Sequence, residues 1–192
     1  MKYVFLDIDG VMVAKNGIWL AKRTYPETTL KKEAAEALHK IVDATGAKIV
    51  ITSSWRNLPT TKKHLEKMFE VEGLEIHAYL PFGKNVHLDD VYSILMKHNI
   101  NYANDEELAK RRTNKGLLIS YFLKEASEEK EEFVIIDNLV DDLREYYDES
   151  LIVGTDDATC LREKEADIAI KVLKKKLFWR FRKWLAKKCA KA

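Results

Sequence analysis

The sequence has little cysteine, no long apolar run and, in its last part, no acid. Its two cysteines, Cys160 and Cys189, have no metal-type spacing, which indicates reduced thiols rather than a zinc site or a disulfide framework. No run of 18 apolar residues occurs, and the first residues lead into an apolar strand without a signal-peptide pattern. We therefore expect a cytoplasmic protein without a transmembrane segment.

The absence of acids from residues 171–192 leaves that segment strongly basic. It carries ten Lys or Arg residues, whereas the rest of the chain holds 23 basic and 31 acidic side chains. This asymmetry indicates an anionic partner for the tail. The 192 residues, 46% of them hydrophobic, suit one well-buried domain. We expect that domain over 1–173, followed by a basic amphipathic helix over 174–192.

The most informative stretch is YVFLDIDGVMV at residues 3–13. An apolar run that ends in acids and glycine predicts a buried parallel strand with Asp7 and Asp9 at its carboxyl end. Residues two apart in an extended chain point to the same side, so both carboxylates would face one pocket, while Gly10 lets the backbone turn. Read alone, these acids could also simply cap a turn. Together they suit phosphoryl transfer, with one nucleophile, one acid/base and a Mg2+ ion between the anions.

A second β-branched run, residues 49–51, ends in hydroxyls and an arginine. Thr52, Ser53 and Arg56 would share the rim of Asp7, because helix-linked parallel strands lie side by side. A hydroxyl, backbone N–H groups and a guanidinium can hold a phosphate, although hydroxyls after a strand also serve as helix caps.

A third apolar run, residues 133–136, ends in Asp137 and Asn138, which offer further oxygen ligands at the same rim. Before it, Lys115 begins a predicted helix, where a lysine faces the positive end of the dipole and calls for an anion. An incoming phosphate and the acids would supply that anion; the alternative is a solvated lysine. Asp141 lies one turn after the Asp137-Asn138 pair and is a candidate to orient either Lys115 or a metal-bound water, whereas Asp142 is expected to face solvent.

The rest of the chain alternates helical periodicity with short apolar runs. We predict helices over 30–44, 60–71, 91–98, 115–123 and 161–173, and further strands over 76–80 and 151–153. This order predicts an α/β fold, an open parallel sheet with helices on both faces and the site outside the strand carboxyl ends. Residues 14–30 are either a flap, with Trp19 and Arg23 as substrate contacts, or an ordinary connection.

Four patterns in this order resemble the motifs of the haloacid dehalogenase-like (HAD) phosphatases. DIDGV is similar to the first motif, the hydroxyls after residue 51 to the second, Lys115 to the third and the Asp-Asn pair to the fourth. DIDGV together with TSSWR is most similar to the HAD domains of bacterial RNA-repair proteins of the Swiss Army Knife type. The resemblance implies a three-layer, Rossmann-like HAD fold with a small or minimal cap. It also implies that residues 57–114 are a candidate specificity insertion.

The resemblance also implies roles for individual residues. Asp7 would be the nucleophile, Asp9 the general acid/base, Ser53 the phosphate-binding hydroxyl with Thr52 as the alternative, and Lys115 the stabiliser of the phosphoryl charge. Arg56 and Gly10 would contribute to substrate binding. Mg2+ would be held by Asp7, the backbone carbonyl of Asp9, Asn138 and, as a further candidate, Asp137.

These roles predict a Mg2+-dependent phosphomonoesterase that works through an aspartyl-phosphate. Basic residues interleaved with Phe178, Trp179 and Trp184 favour nucleic-acid ends, above all a 3′-phosphate, or nucleotides as substrate. A small-metabolite or phosphoprotein phosphatase is the alternative within the fold. A non-catalytic module that binds nucleic acid or an anionic membrane surface is the alternative of another class. The tail could also pack as an ordinary terminal helix.

Overall fold

The strands form one sheet in which all neighbours are parallel. The computed structural model describes residues 1–14, 28–126 and 132–175. Its strands are β1 (Lys2–Leu6), β2 (Lys48–Ile51), β3 (Ile76–Tyr79), β4 (Glu132–Asp137) and β5 (Ile152–Gly154). They are hydrogen-bonded in the order β3-β2-β1-β4-β5. Each of the predicted apolar runs therefore forms a strand. A parallel sheet covered on both faces buries every side chain of its inner strands, so such strands have continuously apolar sequences.

Helices join the strands and cover both faces of the sheet. They are α1 (Lys32–Thr45), α2 (Pro59–Val71), α3 (Leu88–Lys97), α4 (Asp105–Arg111), α5 (Lys115–Glu125), α6 (Asp141–Arg144) and α7 (163–175). A glycine ends α1: Gly46 has φ +64°, and its N–H bonds to the carbonyl of Val42.

Alternate strand residues belong to two separate cores. Val4 and Leu6 of β1 pack in one core with the apolar faces of α1, α2 and α7. Tyr3 and Phe5 pack in the other core with α3, α4 and α5. This division follows from the two-residue period of a strand. The predicted three-layer α/β fold is confirmed.

The topology places β1 where the chain reverses its direction across the sheet. The path runs from β1 through β2 to β3 on one side, and then to β4 and β5 on the other side. In open parallel sheets the crevice outside the carboxyl ends at such a switch point is the usual ligand site. The residues that follow β1, β2 and β4 therefore meet at the position predicted for the site.

Helix α4 is absent from the predicted helices, although its ends carry clear signals. The Asn104 side chain accepts from the N–H of Glu107, and the Glu107 carboxylate accepts from the N–H of Ala103. These two contacts cap the start of α4 and are similar to a capping box, except that Glu107 binds the N–H of the residue before the N-cap. Acids in the first turn and basic residues in the last turn support the same helix.

The segment 57–114 divides into two parts. Its first part supplies α2 and the edge strand β3 of the main sheet, whereas its second part supplies α3 and α4, which pack with α5. Both parts of 57–114 therefore contribute elements to the three layers of the fold.

Two predicted segments lie largely outside the described residues. Most of the flap predicted at 14–30, including Trp19 and Arg23, is outside them, and so is the tail helix predicted at 174–192 except for its first two residues. None of the described helices has the length and apolar character needed to cross a bilayer.

Candidate active site

Asp7, Asp137 and Lys115 form a buried charged group at the carboxyl end of the sheet. The Lys115 ammonium donates to an Asp137 carboxylate oxygen and lies 3.5 Å from the Asp7 carboxylate. Asp7 is 7% exposed and Asp137 is 0% exposed. The two acids are brought together because they follow neighbouring strands, and the Asp7 N–H continues the ladder to the carbonyl of Ile136.

Lys115 reaches the acids from the first turn of α5. The Asn114 side chain caps this helix by accepting from the N–H of Leu117. Directly after the lysine, Gly116 packs on the Tyr146 ring so closely that a Cβ at this position would lie 2.5 Å from a ring carbon. The acids supply the anionic neighbours that a lysine at a helix N-terminus requires.

The Asp137 carboxylate has a donor at each oxygen. Besides the lysine contact, Oδ1 accepts from the N–H of Leu139 at 2.9 Å. Burial raises the pKa of Asp137, the Asp7 charge raises it further, and Lys115 opposes both effects. The lysine is therefore the main group that keeps two close acids compatible with burial.

The next residue, Asn138, has a different environment. Its amide nitrogen donates to the Asp157 carboxylate at 2.6 Å. Its carbonyl oxygen Oδ1 is buried and has no hydrogen-bond partner among the described residues. A buried oxygen without a donor is costly unless something else binds it. Among the described residues, both carboxylate oxygens of Asp137 therefore have a donor, whereas the carbonyl oxygen of Asn138 has none.

Asp9 lies beyond β1 in the tight turn of residues 8–13 and contacts a tryptophan. Its Oδ2 accepts from the indole N–H of Trp55 at 2.9 Å. Trp55 is 3% exposed and its ring stacks on His64, with centroids 6.2 Å apart. Asp7 and Asp9 therefore share a strand end but have separate partners, a lysine for the first and an indole for the second.

The two hydroxyls after β2 differ in their use. Thr52 continues the ladder from β2 to β1 with its N–H on the carbonyl of Leu6, which places it level with Asp7. Its hydroxyl is buried and has no hydrogen-bond partner within the described part of the chain. The Ser53 hydroxyl caps the following 3₁₀ turn (Ser54–Asn57) through a long contact of 3.5 Å with the N–H of Trp55.

The Arg56 guanidinium is directed at backbone carbonyl groups. It donates to the carbonyl oxygens of Thr52, Ser53 and Leu80, and so joins the carboxyl ends of β2 and β3. Burial lowers the pKa of Arg56, and the Asp7 charge acts in the opposite direction. These contacts use Nε and Nη1, so the phosphate contact predicted for Arg56 would fall to Nη2.

Asp141 does not reach the lysine. Its side chain is 93% exposed and pairs with Arg144 at 2.7 Å, whereas Asp137 and Asp7 are the described acids that pair with Lys115. Asp142 is exposed, as expected.

Comparison with protein families gives one match that covers most of the chain. Residues 3–166 match the HAD domain in Swiss Army Knife RNA repair proteins. The chain belongs to this family. It is a HAD-like hydrolase of the phosphatase type, as the motifs predicted. No curated protein and no solved structure gives a significant match.

Domains of the HAD family generally use Mg2+, and the oxygen donors at this site fit such an ion. In the part of the chain that the structure describes, no three His, Cys, Asp or Glu side chains form a ready ligand set. The donors in this HAD domain would therefore include neutral oxygens beside Asp7. The unpaired Oδ1 of Asn138 is the clearest candidate, since hard cations prefer carboxylate and carbonyl oxygens.

Two residues that contact the motif side chains were not predicted as part of the site. Trp55 entered the sequence analysis only through the resemblance of TSSWR, and its indole contact could not be read from spacing. Asp157 follows β5, which pairs with β4. The rule that parallel strands share one rim could have drawn attention to it.

Proposed function

We propose that this HAD domain is a Mg2+-dependent phosphomonoesterase that forms an aspartyl-phosphate on Asp7 and acts on nucleic-acid ends. The main support is the arrangement around Asp7. A lysine lies 3.5 Å from its carboxylate, and the unpaired Thr52 hydroxyl lies level with it on the next strand. Phosphoryl transfer depends mainly on positioning and on neutralising the phosphoryl oxygens, which these groups supply.

The proposed reaction has two steps. In the first, an Asp7 oxygen bonds to phosphorus while the bond from phosphorus to the leaving oxygen breaks, and Asp9 gives that oxygen its proton. In the second, Asp9 takes a proton from water, the water oxygen bonds to phosphorus, and the bond to Asp7 breaks to release inorganic phosphate. The Trp55 indole holds the Asp9 carboxylate in place for both proton transfers.

Lys115 and Asp137 act as a pair in this scheme. The ammonium neutralises charge on the phosphoryl group. Asp137 positions the ammonium through one carboxylate oxygen, and its other oxygen accepts from the backbone N–H of Leu139. Because both Asp137 oxygens have donors, we assign the cation to Asp7, the Asp9 carbonyl and Asn138. The role of Asp137 is then to pair with Lys115 and not to bind the cation. When bound, Mg2+ would neutralise a phosphate oxygen beside Asp7.

We assign the phosphate-binding hydroxyl to Thr52 rather than Ser53. The Thr52 hydroxyl is buried without a partner among the described residues, whereas the Ser53 oxygen accepts from a backbone N–H. A phosphate oxygen would satisfy the Thr52 hydroxyl, which otherwise carries the cost of an unpaired buried group. Thr52 is thus the alternative that the surrounding contacts favour.

The substrate proposal rests on the family and on the composition of the tail. The family is described by its occurrence in RNA repair proteins. Residues 171–192 are basic and contain aromatic side chains, a composition suited to a nucleic-acid backbone and bases. The sharpest form of the proposal is removal of a 3′-phosphate from an RNA end.

The test compares two substrates in the presence of Mg2+. We expect the full chain to hydrolyse both a generic phosphomonoester and a 3′-phosphorylated oligoribonucleotide, with a much higher kcat/KM for the oligonucleotide and strong salt dependence only for that substrate. Asp7→Asn should abolish both activities. Activity on the small ester alone would refute the nucleic-acid substrate, and no activity on either would refute the phosphatase proposal in favour of a binding module.

A matched pair of variants tests the hydroxyl. Thr52→Val removes the unpaired hydroxyl with little change of shape, and we expect kcat to fall by about tenfold or more. Ser53→Ala removes only a long capping contact, so its kcat should stay within about threefold of the wild type. The reverse order of effects would return the role to Ser53.

A further inference from the structure

The carboxylate of Asp157 accepts a hydrogen bond from the side-chain amide of Asn138. It lies in the loop after β5, and its Oδ1 accepts from Asn138 Nδ2 at 2.6 Å. Only the NH2 group of an amide can donate to a carboxylate, so this contact fixes which end of the Asn138 side chain is nitrogen and which is oxygen. The oxygen end is the buried Oδ1 without a hydrogen-bond partner among the described residues.

The loop that carries Asp157 is attached to the turn after β1 at both ends. At its start, the Thr155 hydroxyl donates to the carbonyl of Gly10 at 2.8 Å. At its end, the N–H of Leu161 donates to the carbonyl of Val11 at 2.8 Å. The Thr155 N–H also continues the sheet ladder to the carbonyl of Asp137 at 3.1 Å. The position of Asp157 is therefore set by the same backbone that positions Asp7, Asp9 and Asn138.

Gly10 makes room for the contact. Its φ is +77°, and a Cβ at this position would lie 2.6 Å from the Asp157 Oδ1 and 2.8 Å from Asn138 Cγ. A side chain there would displace the Asn138–Asp157 pair as well as strain the backbone. The glycine of DIDGV thus serves the pair, in addition to the turn for which the sequence predicted it.

We propose that Asp157 is a positioning residue that holds the Asn138 amide in the orientation required to bind a divalent cation through its carbonyl oxygen. Without this acceptor, the amide can rotate and present its NH2 group, which repels a cation. Partners that orient a metal ligand commonly change metal affinity about 10–100-fold when removed. The inference rests on the proposed Mg2+ site and adds a residue that no motif of the sequence identified.

The test measures Mg2+ binding directly by isothermal titration calorimetry on the full chain without substrate. Asp157→Ala removes the acceptor, and we expect the Kd for Mg2+ to rise about 10–100-fold. Asp157→Asn keeps a carbonyl acceptor but loses the charge, so its Kd should lie between those of the wild type and the alanine variant. Circular dichroism and thermal unfolding should remain close to the wild type for both.

Asp156→Asn is the matched control. Asp156 lies next in the chain, carries the same charge, and accepts from the N–H groups of Ala158 and Thr159 rather than from the site. Asparagine can keep these capping contacts. We expect its Kd for Mg2+ to stay within about twofold of the wild type. The lost Asp156 charge would act on Mg2+ only from a distance, and moderate salt screens such an interaction.

Turnover of a phosphomonoester provides a second readout. At low Mg2+ the Asp157→Ala variant should be slow, and at saturating Mg2+ its kcat should return to near the wild-type value, which a merely distorted site would not do. A Kd for Asp157→Ala within about twofold of the wild type would overturn the role of Asp157. A wild-type chain that binds no Mg2+ would instead overturn the proposed cation site itself.

Discussion

Replacing Lys115 by methionine should destabilise the folded chain strongly. The ammonium contacts Asp137 and lies 3.5 Å from Asp7, while Asp137 is 0% exposed. Methionine fills a similar volume without charge, so the change leaves two close carboxylates without their cation. Burial and the neighbouring acid already raise the pKa of Asp137, and the lysine is the charged group that opposes them.

The size of the effect follows from the burial of the pair. Removing one partner of a buried ion pair costs about 3–5 kcal/mol. The lysine side chain is 25% exposed, which places the expected loss toward the lower end of this range. For a domain of this size 1 kcal/mol corresponds to about 2–4 °C in Tm, so we expect Tm to fall by about 6–12 °C.

A second substitution separates charge from packing. The double variant Lys115→Met/Asp137→Asn removes both partners, and its free energy of unfolding should recover to within about 1–2 kcal/mol of the wild type, because no uncompensated charge remains at residue 137. It should still lack phosphatase activity. Lys110→Met is the control, since it breaks an exposed pair with Glu106 that is worth about 0.5 kcal/mol or less.

The assay is urea and thermal unfolding in EDTA, because a bound cation would replace part of the missing charge. Unfolding free energies of the wild type, Lys115→Met, Asp137→Asn and the double variant give the coupling energy of Lys115 and Asp137. A Tm for Lys115→Met within 2 °C of the Lys110→Met control, or a double variant no more stable than Lys115→Met, would refute the coupling.

Three further variants test other contacts. Gly10→Ala should lower the urea midpoint and weaken Mg2+ binding measured by calorimetry, since a non-glycine residue at φ +77° costs about 1–2 kcal/mol before its clash with Asp157 is counted; a wild-type midpoint would contradict this. Arg56→Lys should lose at least about 1 kcal/mol in urea unfolding, because lysine cannot reproduce the forked contacts to three carbonyl oxygens; no loss would argue against its structural role. Burial lowers the pKa of His98 below 6.5 in the folded chain, so the unfolded chain binds more protons and stability should fall as the pH drops through about 6.5 toward 5; thermal melts of His98→Gln should show a weaker dependence, and an unchanged one would contradict the assignment.

The strands and the first residues of the site could be predicted from sequence because both depend on local patterns. An apolar run that ends in an acid identifies a buried strand and its carboxyl end, as for Asp7 and Asp137. Parallel connection then places these ends on one rim whatever the details of packing. The signal for the missed helix α4 was equally local, since the Asn104 and Glu107 side chains that cap it stand three residues apart in the sequence.

Which of two adjacent side chains has hydrogen-bond partners could not be predicted in this way. Asp137 and Asn138 are adjacent, yet Lys115 and a backbone N–H bind the first, while the second has a carbonyl oxygen with no hydrogen-bond partner among the described residues. Thr52 and Ser53 differ in the same sense, and the contacts of Arg56 with three carbonyl oxygens could not be predicted from its position in the sequence.

The sequence by itself determined the strands, the order of the layers and the rim where the acids gather, because hydrophobic periodicity and chain connection act over a few residues. Only the tertiary structure decided which oxygen is paired and which is free. That choice depends on donors from distant segments, such as Lys115 on α5, Asp157 after β5 and the Trp55 indole, and hydrogen bonds exist only where packing brings such groups within about 3 Å.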